Sequence, residues 1–205
     1  MTEDEAKAWL ASRFGDAQVA NLHCYVEMLL AESERQNLIS KATIPVLWAR
    51  HIVDSAQLLL HAGRHWSHWV DIGSGAGLPG IVIACLSDLR VTLIEPRKLR
   101  SAFLTTCAKD LKLRVDVIQA KAEQVTKLDD VADVVSARAV ANLSALLTAA
   151  KGFSDRKTVF VLPKGEAAQS EVAMARKSWQ GQFHVEQSIV DPASGIVIAT
   201  QVAPR

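Results

Sequence analysis

A ten-residue run, Asp71-Ile72-Gly73-Ser74-Gly75-Ala76-Gly77-Leu78-Pro79-Gly80, constrains the fold of this chain more than any other feature. Apolar residues flank it on both sides, in the order expected of a strand, a glycine loop and a helix. Glycines are needed where a backbone turns with positive φ or approaches a ligand without a Cβ in the way. The run therefore predicts bare backbone N–H groups at the mouth of a parallel sheet, where an adenosine-containing cofactor usually binds.

The composition is typical of a soluble globular protein. Of the 205 residues, 49% are hydrophobic and 22% are charged, which suits one domain with a sizeable core, or a core and an appendage. No apolar run approaches the roughly 20 residues that span a bilayer, and the acidic start Met1-Thr2-Glu3-Asp4-Glu5 does not resemble a secretory leader. The formal net charge of +1 excludes a uniformly basic nucleic-acid binder but leaves room for a local basic face.

The cysteines and histidines suggest neither a disulfide framework nor a metal site. The three cysteines are widely spaced and form no C-x-x-C pair, so we expect apolar filler in a reducing compartment and a cytoplasmic protein. Three neighbouring histidines lack a carboxylate or thiol companion at a recognisable ligand spacing, so no metal is predicted for His61, His65 and His68.

The chain divides into a helical part and an α/β part. Up to residue 66, apolar residues recur at three- and four-residue spacing, which predicts helices over Ala6–Phe14, Val19–Leu30 and Val46–Leu60. Thr43 and Pro45 are expected to cap and open the third of these helices. From residue 67, short β-rich runs alternate with helical runs, which is typical of a mostly parallel sheet. We therefore predict a helical extension over 1–66 and a Rossmann-like core over 67–205.

Seven strands and four helices are expected in the core. The predicted strands are Trp69–Ile72, Val91–Glu95, Val115–Gln119, Val131–Ser136, Thr158–Leu162, His184–Val190 and Ile196–Val202. The predicted helices are Gly80–Leu86, Lys98–Leu111, Leu143–Lys151 and Ala167–Trp179. Only a short turn joins the last two strands, so they should form an antiparallel hairpin.

The glycine loop alone does not select the cofactor. Gly75-x-Gly77-x-x-Gly80, with Glu95 placed 20 positions after Gly75, also matches the dinucleotide fingerprint. Three features favour S-adenosylmethionine (SAM) over NAD: the long helical segment before the loop, the closing hairpin, and Asp71. A carboxylate at Asp71 can pair with an ammonium group, which SAM has and NAD lacks. The alternatives are a loop-ordering carboxylate at Asp71 and a surface residue at Glu95.

Two further segments point into the same mouth. Lys121-Ala122-Glu123 follows the third strand, where an adenine ring would bind, although an exposed turn is equally compatible with the sequence. Arg138 follows the fourth strand and can hold the cofactor carboxylate, a substrate phosphate or a structural ion-pair partner.

The acceptor is constrained by what the strand ends lack. The fourth strand is not followed by the Asn/Asp-Pro-Pro-aromatic motif that is usual in enzymes methylating exocyclic amines, and no cysteine nucleophile stands near Pro163-Lys164-Gly165. An acceptor that is already nucleophilic, such as guanine N7, is thus favoured, and no catalytic acid or base is nominated. Between Arg97 and Lys121, seven basic residues against two acidic ones indicate either a phosphate-binding face or a solvated helix face.

The chain resembles the bacterial small-subunit rRNA guanine-N7 methyltransferase family, also called glucose-inhibited division protein B. The likeness runs from about Asn37 to about Gly165. Its motifs are Asn37-Leu38, Arg50-His51-x-x-Asp54-Ser55, the loop from Asp71 to Gly80, Glu95, Arg100-x-x-Phe103-Leu104, Ala122-Glu123, Arg138-Ala139-Val140-Ala141 and Lys164-Gly165. The Arg-His-x-x-Asp-Ser motif followed by Gly-Leu-Pro-Gly is the most specific part.

This resemblance implies a class I SAM-dependent methyltransferase that modifies N7 of guanosine 527 in the 530 loop of 16S rRNA. The expected cofactor contacts are Asp71, Gly73, Gly75, Gly77, Leu78, Glu95, Ala122, Glu123 and Arg138. The expected RNA contacts are Arg50, His51, Lys98, Arg100, Lys112 and Lys164. The expected partner is 16S rRNA, within the small ribosomal subunit or its assembly intermediates, and we expect a monomer that does not bind a membrane. Two rival classes stay open: an NAD-dependent oxidoreductase and a non-catalytic RNA-binding module of ribosome assembly.

Overall fold

The computed structural model describes residues 1–63 and 66–205. Within these residues seven strands form one sheet in the order β3-β2-β1-β4-β5-β7-β6. The strands are β1 (His68–Ile72), β2 (Arg90–Ile94), β3 (Val115–Ile118), β4 (Val134–Ala137), β5 (Val159–Gly165), β6 (Trp179–Gln187) and β7 (Gly195–Pro204). The first five are parallel, and β7 runs antiparallel to both of its neighbours. The predicted mostly parallel sheet with a closing hairpin is confirmed.

The helices alternate with the strands of the core and precede them in the extension. They are α1 (Glu3–Ala11), α2 (Asp16–Gln36), α3 (Asp54–Ala56), α4 (Leu58–Ala62), α5 (Gly80–Leu86), α6 (Lys98–Asp110), α7 (Leu143–Ala149) and α8 (Ala168–Ala175). Shorter 3-10 turns cover Lys41–Val46, Ala122–Gln124 and Ala150–Gly152, and a π-helical turn covers Trp48–Val53. None of the helices within the described residues is long and apolar enough to cross a membrane.

Helix α5 shows how the sequence sets the layers. All seven of its residues are buried, because the sheet lies on one side and helix α2 on the other. A helix covered on both sides has no need of a polar face. Strand β1 is likewise buried along its whole length, as expected for the centre of a parallel sheet with helices on both faces.

The extension is joined to the core by packing and by buried hydrogen bonds. One hydrophobic cluster continues from α1 and α2 into α5, α6 and the sheet. The Gln18 side-chain amide donates to the carbonyl of Leu86 over 2.8 Å, and the Tyr25 hydroxyl donates to the carbonyl of Ala76 over 2.9 Å. Residue 66 thus lies two residues before strand β1, and the hydrophobic core is continuous from the extension into the sheet. The division at 66 stays a prediction.

The prediction of one continuous third helix in the extension is wrong. Instead of one helix over Val46–Leu60, the chain forms a 3-10 turn, a π-helical turn and the short helices α3 and α4. Pro45 lies inside the 3-10 turn, where it has no N–H to give to a regular helix. Thr43 is also not a cap, since its hydroxyl donates to the carbonyl of Ser40 over 2.8 Å.

The last predicted helix is too long. Helix α8 ends at Ala175, and Trp179 begins strand β6, where it pairs with Pro204. Trp179 is buried in the same hydrophobic cluster as Val172 and Ala175 of α8, so the sequence spacing of these three residues resembles one face of a helix.

Candidate functional site

The glycine loop between β1 and α5 has the backbone that its sequence predicts. Gly73, Gly75 and Gly77 all have positive φ, at 65°, 58° and 96°. At Gly77 a Cβ would lie 2.6 Å from Cγ1 of Ile81, so neither the angle nor the space admits a side chain. At Gly75 a Cβ would lie 3.7 Å from the nearest atoms, a guanidinium nitrogen of Arg100 and the carbonyl oxygen of Gly73, which is an ordinary contact distance.

Asp71 lies beneath the loop with no exposed surface. The Trp69 indole N–H donates to Oγ of Ser136 over 2.8 Å, so the Ser136 hydroxyl in turn donates to Oδ1 of Asp71, over 2.6 Å. The other carboxylate oxygen accepts the N–H of Gly80 over 3.2 Å. Burial raises the pKa of Asp71 to about 6, against these hydrogen bonds, which lower it. In this geometry Asp71 orders the loop from below, which is the alternative that the sequence left open, and its contact with an ammonium group stays a prediction.

Glu95 follows β2 and faces the loop from the other side. Its carboxylate accepts the N–H of Gly75 and the N–H of Arg97, each over 2.8 Å. The side chain is 3% exposed, so it is not the surface residue that the sequence left as an alternative. The two bonds fix the carboxylate at the carboxyl end of the strand.

A cavity of about 690 Å³, called here the cofactor cavity, opens at the carboxyl ends of β1, β2 and β4. Its size falls within the range of small-molecule sites. Most of the predicted cofactor residues line it, namely Gly73, Gly75, Leu78, Glu95, Ala122, Glu123 and Arg138. Asp71 and Gly77 do not line it. The extension contributes a further wall, Leu38, Ile39 and Ser40. Leu38 belongs to the Asn37-Leu38 motif, but the sequence assigned none of these three residues to the cofactor.

A second cavity of about 630 Å³, called here the acceptor cavity, adjoins the first. The two share one wall, formed by His51, Arg138, Ala139, Val140 and Ala141. Ala139 has a φ of 56°, a left-handed conformation that costs a non-glycine residue about 1–2 kcal/mol. Val140 covers Gly73 so closely that a Cβ there would lie 2.5 Å from Cγ2 of Val140.

The shared wall is held by a directional chain of hydrogen bonds. Arg138 forms an ion pair with Oδ2 of Asp54 over 3.3 Å and donates to Nδ1 of His51 over 3.4 Å. Because Nδ1 accepts, Nε2 of His51 must carry the proton that it gives to the Thr43 hydroxyl over 2.8 Å. His51 and Asp54 of the Arg-His-x-x-Asp motif in the extension therefore hold Arg138 in place at the end of β4.

Burial decides the charge state of this wall. Desolvation, aided by the neighbouring guanidinium groups of Arg138 and Arg50, lowers the pKa of His51 to about 4, so the imidazole is neutral near pH 7. Desolvation raises the pKa of Asp54, and the positive charge of Arg138 opposes that rise.

Lys164 lies at the acceptor cavity but its ammonium group is already engaged. It forms an ion pair with Glu171 of α8 over 3.0 Å and donates to the carbonyl of Ala141, and its side chain is only 6% exposed. Glu171 also accepts the N–H of Leu143 over 2.6 Å. The sequence did not single out Glu171, since its role depends on contacts between residues far apart in the chain.

The predicted basic face is split between two edges of the sheet. Lys98 is exposed at the start of α6, and Arg100 lines the cofactor cavity with Arg97 and Lys121. Lys112 follows the end of the same helix, roughly 20 Å away at a rise of 1.5 Å per residue. The structure thus does not bring Lys112 to the edge where the cavities open. Arg50 does lie there, with its guanidinium 3.4 Å from the carboxylate of Asp191.

Of the three histidines considered for metal binding, the structure describes His61 and His68, and neither belongs to a ligand set among the described residues. His65 lies outside the described residues, and His68 is buried with Nε2 at 2.8 Å from the Thr92 hydroxyl. Over residues 1–63 and 66–205, no group of three or more His, Cys, Asp or Glu side chains is arranged to hold a metal ion.

Solved structures share this architecture at low sequence identity. A SAM-dependent methyltransferase from Aquifex aeolicus superposes with a TM-score of 0.62 at 14% identity, covering 78% of this chain and 94% of that one. TYW2 from M. jannaschii in complex with AdoMet gives a TM-score of 0.54 at 20% identity, covering 75% and 76%. These similarities establish the class I methyltransferase fold.

Sequence relatives are far closer. A family model described as rRNA small subunit methyltransferase G (GidB) matches residues 18–195. Proteins named ribosomal RNA small subunit methyltransferase G are 46% identical in Novosphingobium aromaticivorans and 45% identical in Rhizorhabdus wittichii, covering 100% of this chain and 91% and 95% of the relatives. The family resolves the ambiguity of the glycine fingerprint in favour of SAM over NAD. This chain belongs to the rRNA small subunit methyltransferase G family.

Proposed function

We propose that this SAM-dependent rRNA methyltransferase transfers a methyl group to N7 of guanosine 527 in the 530 loop of 16S rRNA. The observation that carries the proposal is the pair of adjoining cavities: one is lined by the glycine loop, and in the other each candidate base among the described residues is held in an ion pair or a hydrogen bond. The shared wall at Arg138 and Ala139 is where a methyl donor and an acceptor base would meet.

The cofactor cavity suits SAM in shape and chemistry. Gly75 lines the cavity without a side chain, and the Glu95 carboxylate keeps lone pairs beyond its two backbone bonds for ribose hydroxyls. Ala122 and Glu123 line the cavity beyond β3, where they would border the adenine. When bound, SAM supplies an electrophilic methyl group on a sulfonium. The role of Asp71 in this scheme is to hold the loop in place.

The acceptor cavity suits a nucleophile that needs no deprotonation. Each candidate base among its described residues is held in an ion pair or a hydrogen bond: Nδ1 of His51 by Arg138, Asp54 by Arg138 and Gln57, and Glu171 by Lys164. None of the lining residues that the structure describes is a cysteine. Guanine N7 meets this condition because its lone pair is free.

The reaction is then an in-line displacement governed by positioning. The N7 lone pair would form a bond to the methyl carbon while the carbon–sulfur bond breaks, and that electron pair would stay on sulfur. The positive charge would pass from sulfur to the guanine ring, and no proton would move. Arg138 orients the wall at which this exchange occurs, and the apolar Val140 helps to keep water from it.

RNA would approach the edge where both cavities open. Lys98 and Arg100 lie on this edge and would contact phosphates, as would Arg50 once released from Asp191. Lys164 would act through its contact with Ala141. A base must leave its stack to enter a cavity, so we expect recognition of folded RNA within the small subunit or an assembly intermediate by a monomer of this protein.

The test uses 30S subunits from a strain that lacks the gene. The purified protein and SAM should add one methyl group, which mass mapping should place at N7 of guanosine 527, and a short naked stem-loop should be a poor acceptor. Methylation of another nucleotide or of another atom would contradict the proposal. Binding of the subunit without any transfer would favour the assembly-module alternative.

A further inference from the structure

Gln57 stands out among the buried polar side chains, because it lines neither cavity and yet all its polar atoms are used. It has no exposed surface. Its amide nitrogen donates to Oδ1 of Asp54 over 2.9 Å and to Oγ of Ser188 over 3.0 Å. Its amide oxygen accepts the N–H of Ile189 over 3.0 Å. One side chain of the extension therefore joins two segments that are more than 130 residues apart in sequence.

The far partner is the turn of the C-terminal hairpin, called here the hairpin turn (residues 188–194). The turn closes on itself, since Ser188 N–H donates to the carbonyl of Ser194 over 2.9 Å and the Asp191 carboxylate accepts the Ser194 hydroxyl over 2.9 Å. Ser188 and Ser194 both line the acceptor cavity. A second tie, the exposed ion pair between Arg50 and Asp191, is worth little by itself. Gln57 thus supplies a buried polar tie between the extension and this wall.

Asp54, the partner of Gln57 within the extension, connects the hairpin turn to the shared wall. One carboxylate oxygen of Asp54 accepts a hydrogen bond from the Gln57 amide, and the other forms the ion pair with Arg138. The hairpin turn, Gln57, Asp54 and Arg138 therefore form one continuous chain of contacts that runs along one side of the acceptor cavity. No member of the chain before Arg138 reaches the cofactor cavity.

We infer that Gln57 is a positioning residue for the acceptor RNA, which sets the distance between the hairpin turn and Arg138 without contributing to SAM binding. This rests on the proposed function, in which the acceptor cavity receives the target guanine. The amide is the group required at this position. A carboxylate would face Asp54 with like charge, and an apolar group would leave Asp54, Ser188 and the Ile189 N–H without their partner in a buried place.

The experiment compares Gln57→Leu with Gln18→Leu, a matched control whose amide joins the extension to the core at the carbonyl of Leu86. Steady-state methylation of 30S subunits and calorimetric SAM binding are measured for both. Gln57→Leu should lower kcat/KM for the subunit at least tenfold and change the Kd for SAM less than twofold, while Gln18→Leu should leave both within twofold. Equal losses of subunit kinetics and SAM affinity in Gln57→Leu, or equal behaviour of the two variants, would overturn the inference.

Two milder variants keep the test valid if Gln57→Leu does not fold. Ser188→Ala removes one hydroxyl of the chain and should lower kcat/KM about threefold with SAM binding unchanged. Gln57→Glu should show a deficit that shrinks on acidification, because the introduced carboxyl group, once protonated, can again donate to Asp54, whereas a merely structural defect has no reason to follow pH in this way. A deficit that is the same at pH 6 and pH 8 would argue against the inference. Wild-type methylation of the subunit in the same assay separates a failure here from a failure of the proposed function.

Discussion

The two cavities that meet at Arg138 are built in different ways. The cofactor cavity is organised around one contiguous run, Asp71 to Gly80, whose glycines impose the backbone directly. The acceptor cavity is assembled from side chains of four remote segments around residues 43–54, 138–141, 163–171 and 188–196. A site made of backbone is encoded locally, whereas a site made of side-chain networks depends on the completed fold.

The largest effect should come from breaking the backbone of the cofactor loop. Gly77→Ala combines left-handed strain of about 1–2 kcal/mol with overpacking against Ile81 of about 1–3 kcal/mol. We expect a loss of roughly 2–5 kcal/mol in the free energy of unfolding, measured by urea denaturation. Gly75→Ala carries similar strain without the clash and serves as the control, with a loss of about 1–2 kcal/mol. Equal losses in the two variants would show that steric exclusion at Gly77 is not what the loop requires.

Arg138 should be the residue whose loss damages both cavities at once. Arg138→Ala removes the guanidinium of the shared wall and leaves the largely buried carboxylate of Asp54 without its ion-pair partner. We expect kcat/KM to fall about a hundredfold, equivalent to about 2.7 kcal/mol of transition-state stabilisation. Calorimetry should show weaker SAM binding in the same variant. A loss confined to subunit kinetics would assign Arg138 to the acceptor cavity alone.

The same division between local and remote encoding separates what the sequence could predict from what it could not. The loop, Glu95 and Arg138 line the predicted cavity, because their chemistry is expressed within a few residues or at a strand end. Asp71 lies in the predicted element but does not line the cavity, and its carboxylate accepts a hydrogen bond from Ser136 of β4, which is 65 residues away in sequence. Lys112 is close to Lys98 in sequence, yet the length of α6 separates the two.

Elements governed by tertiary contacts were the hardest to predict. The segment around Trp48 breaks into 3-10 and π-helical turns, and the carboxylate of Glu3 accepts the N–H groups of Trp48 and Ala49 over 3.0 and 2.8 Å. Apolar spacing predicts a continuous helix there, because this local pattern contains no information about a carboxylate more than 40 residues away that binds the backbone. Gln57 lies in the same stretch, and its role was missed for the same reason.

A smaller effect should follow from loosening the cofactor loop through the extension. Tyr25→Phe removes only the hydroxyl that donates to the carbonyl of Ala76 inside the loop. Leaving that carbonyl without its partner should cost about 1 kcal/mol and weaken SAM binding up to about fivefold by calorimetry. Ser33→Ala is the control, because its hydroxyl bonds only within the same helix, to Leu29 over 2.7 Å. If both variants bind SAM as tightly as the wild type, the extension does not support the loop through this bond.

The smallest effect is a difference in pH dependence between the two cavities. His51 at the acceptor cavity has a pKa lowered from 6.5 to about 4, so between these values the unfolded chain binds a proton that the folded chain does not. Its contribution to stability is therefore complete above pH 6.5 and is lost as the pH falls toward 4. Asp71 under the cofactor loop has a pKa raised from 3.8 to about 6, so between these values the folded chain holds the extra proton. Its contribution consequently has the opposite sign and improves on acidification.

Single substitutions should separate these opposing contributions. His51→Gln removes the contribution of His51 and keeps that of Asp71. From pH 7 to pH 5 the free energy of unfolding of this variant should therefore fall less than that of the wild type. Asp71→Asn should lose more than the wild type over the same interval. Urea denaturation at both pH values measures the difference, which we expect to be below about 1 M in the midpoint. Identical pH dependence in the two variants would mean that neither burial shifts a proton equilibrium during folding, and the charge states assigned to the two cavities would have to be revised together.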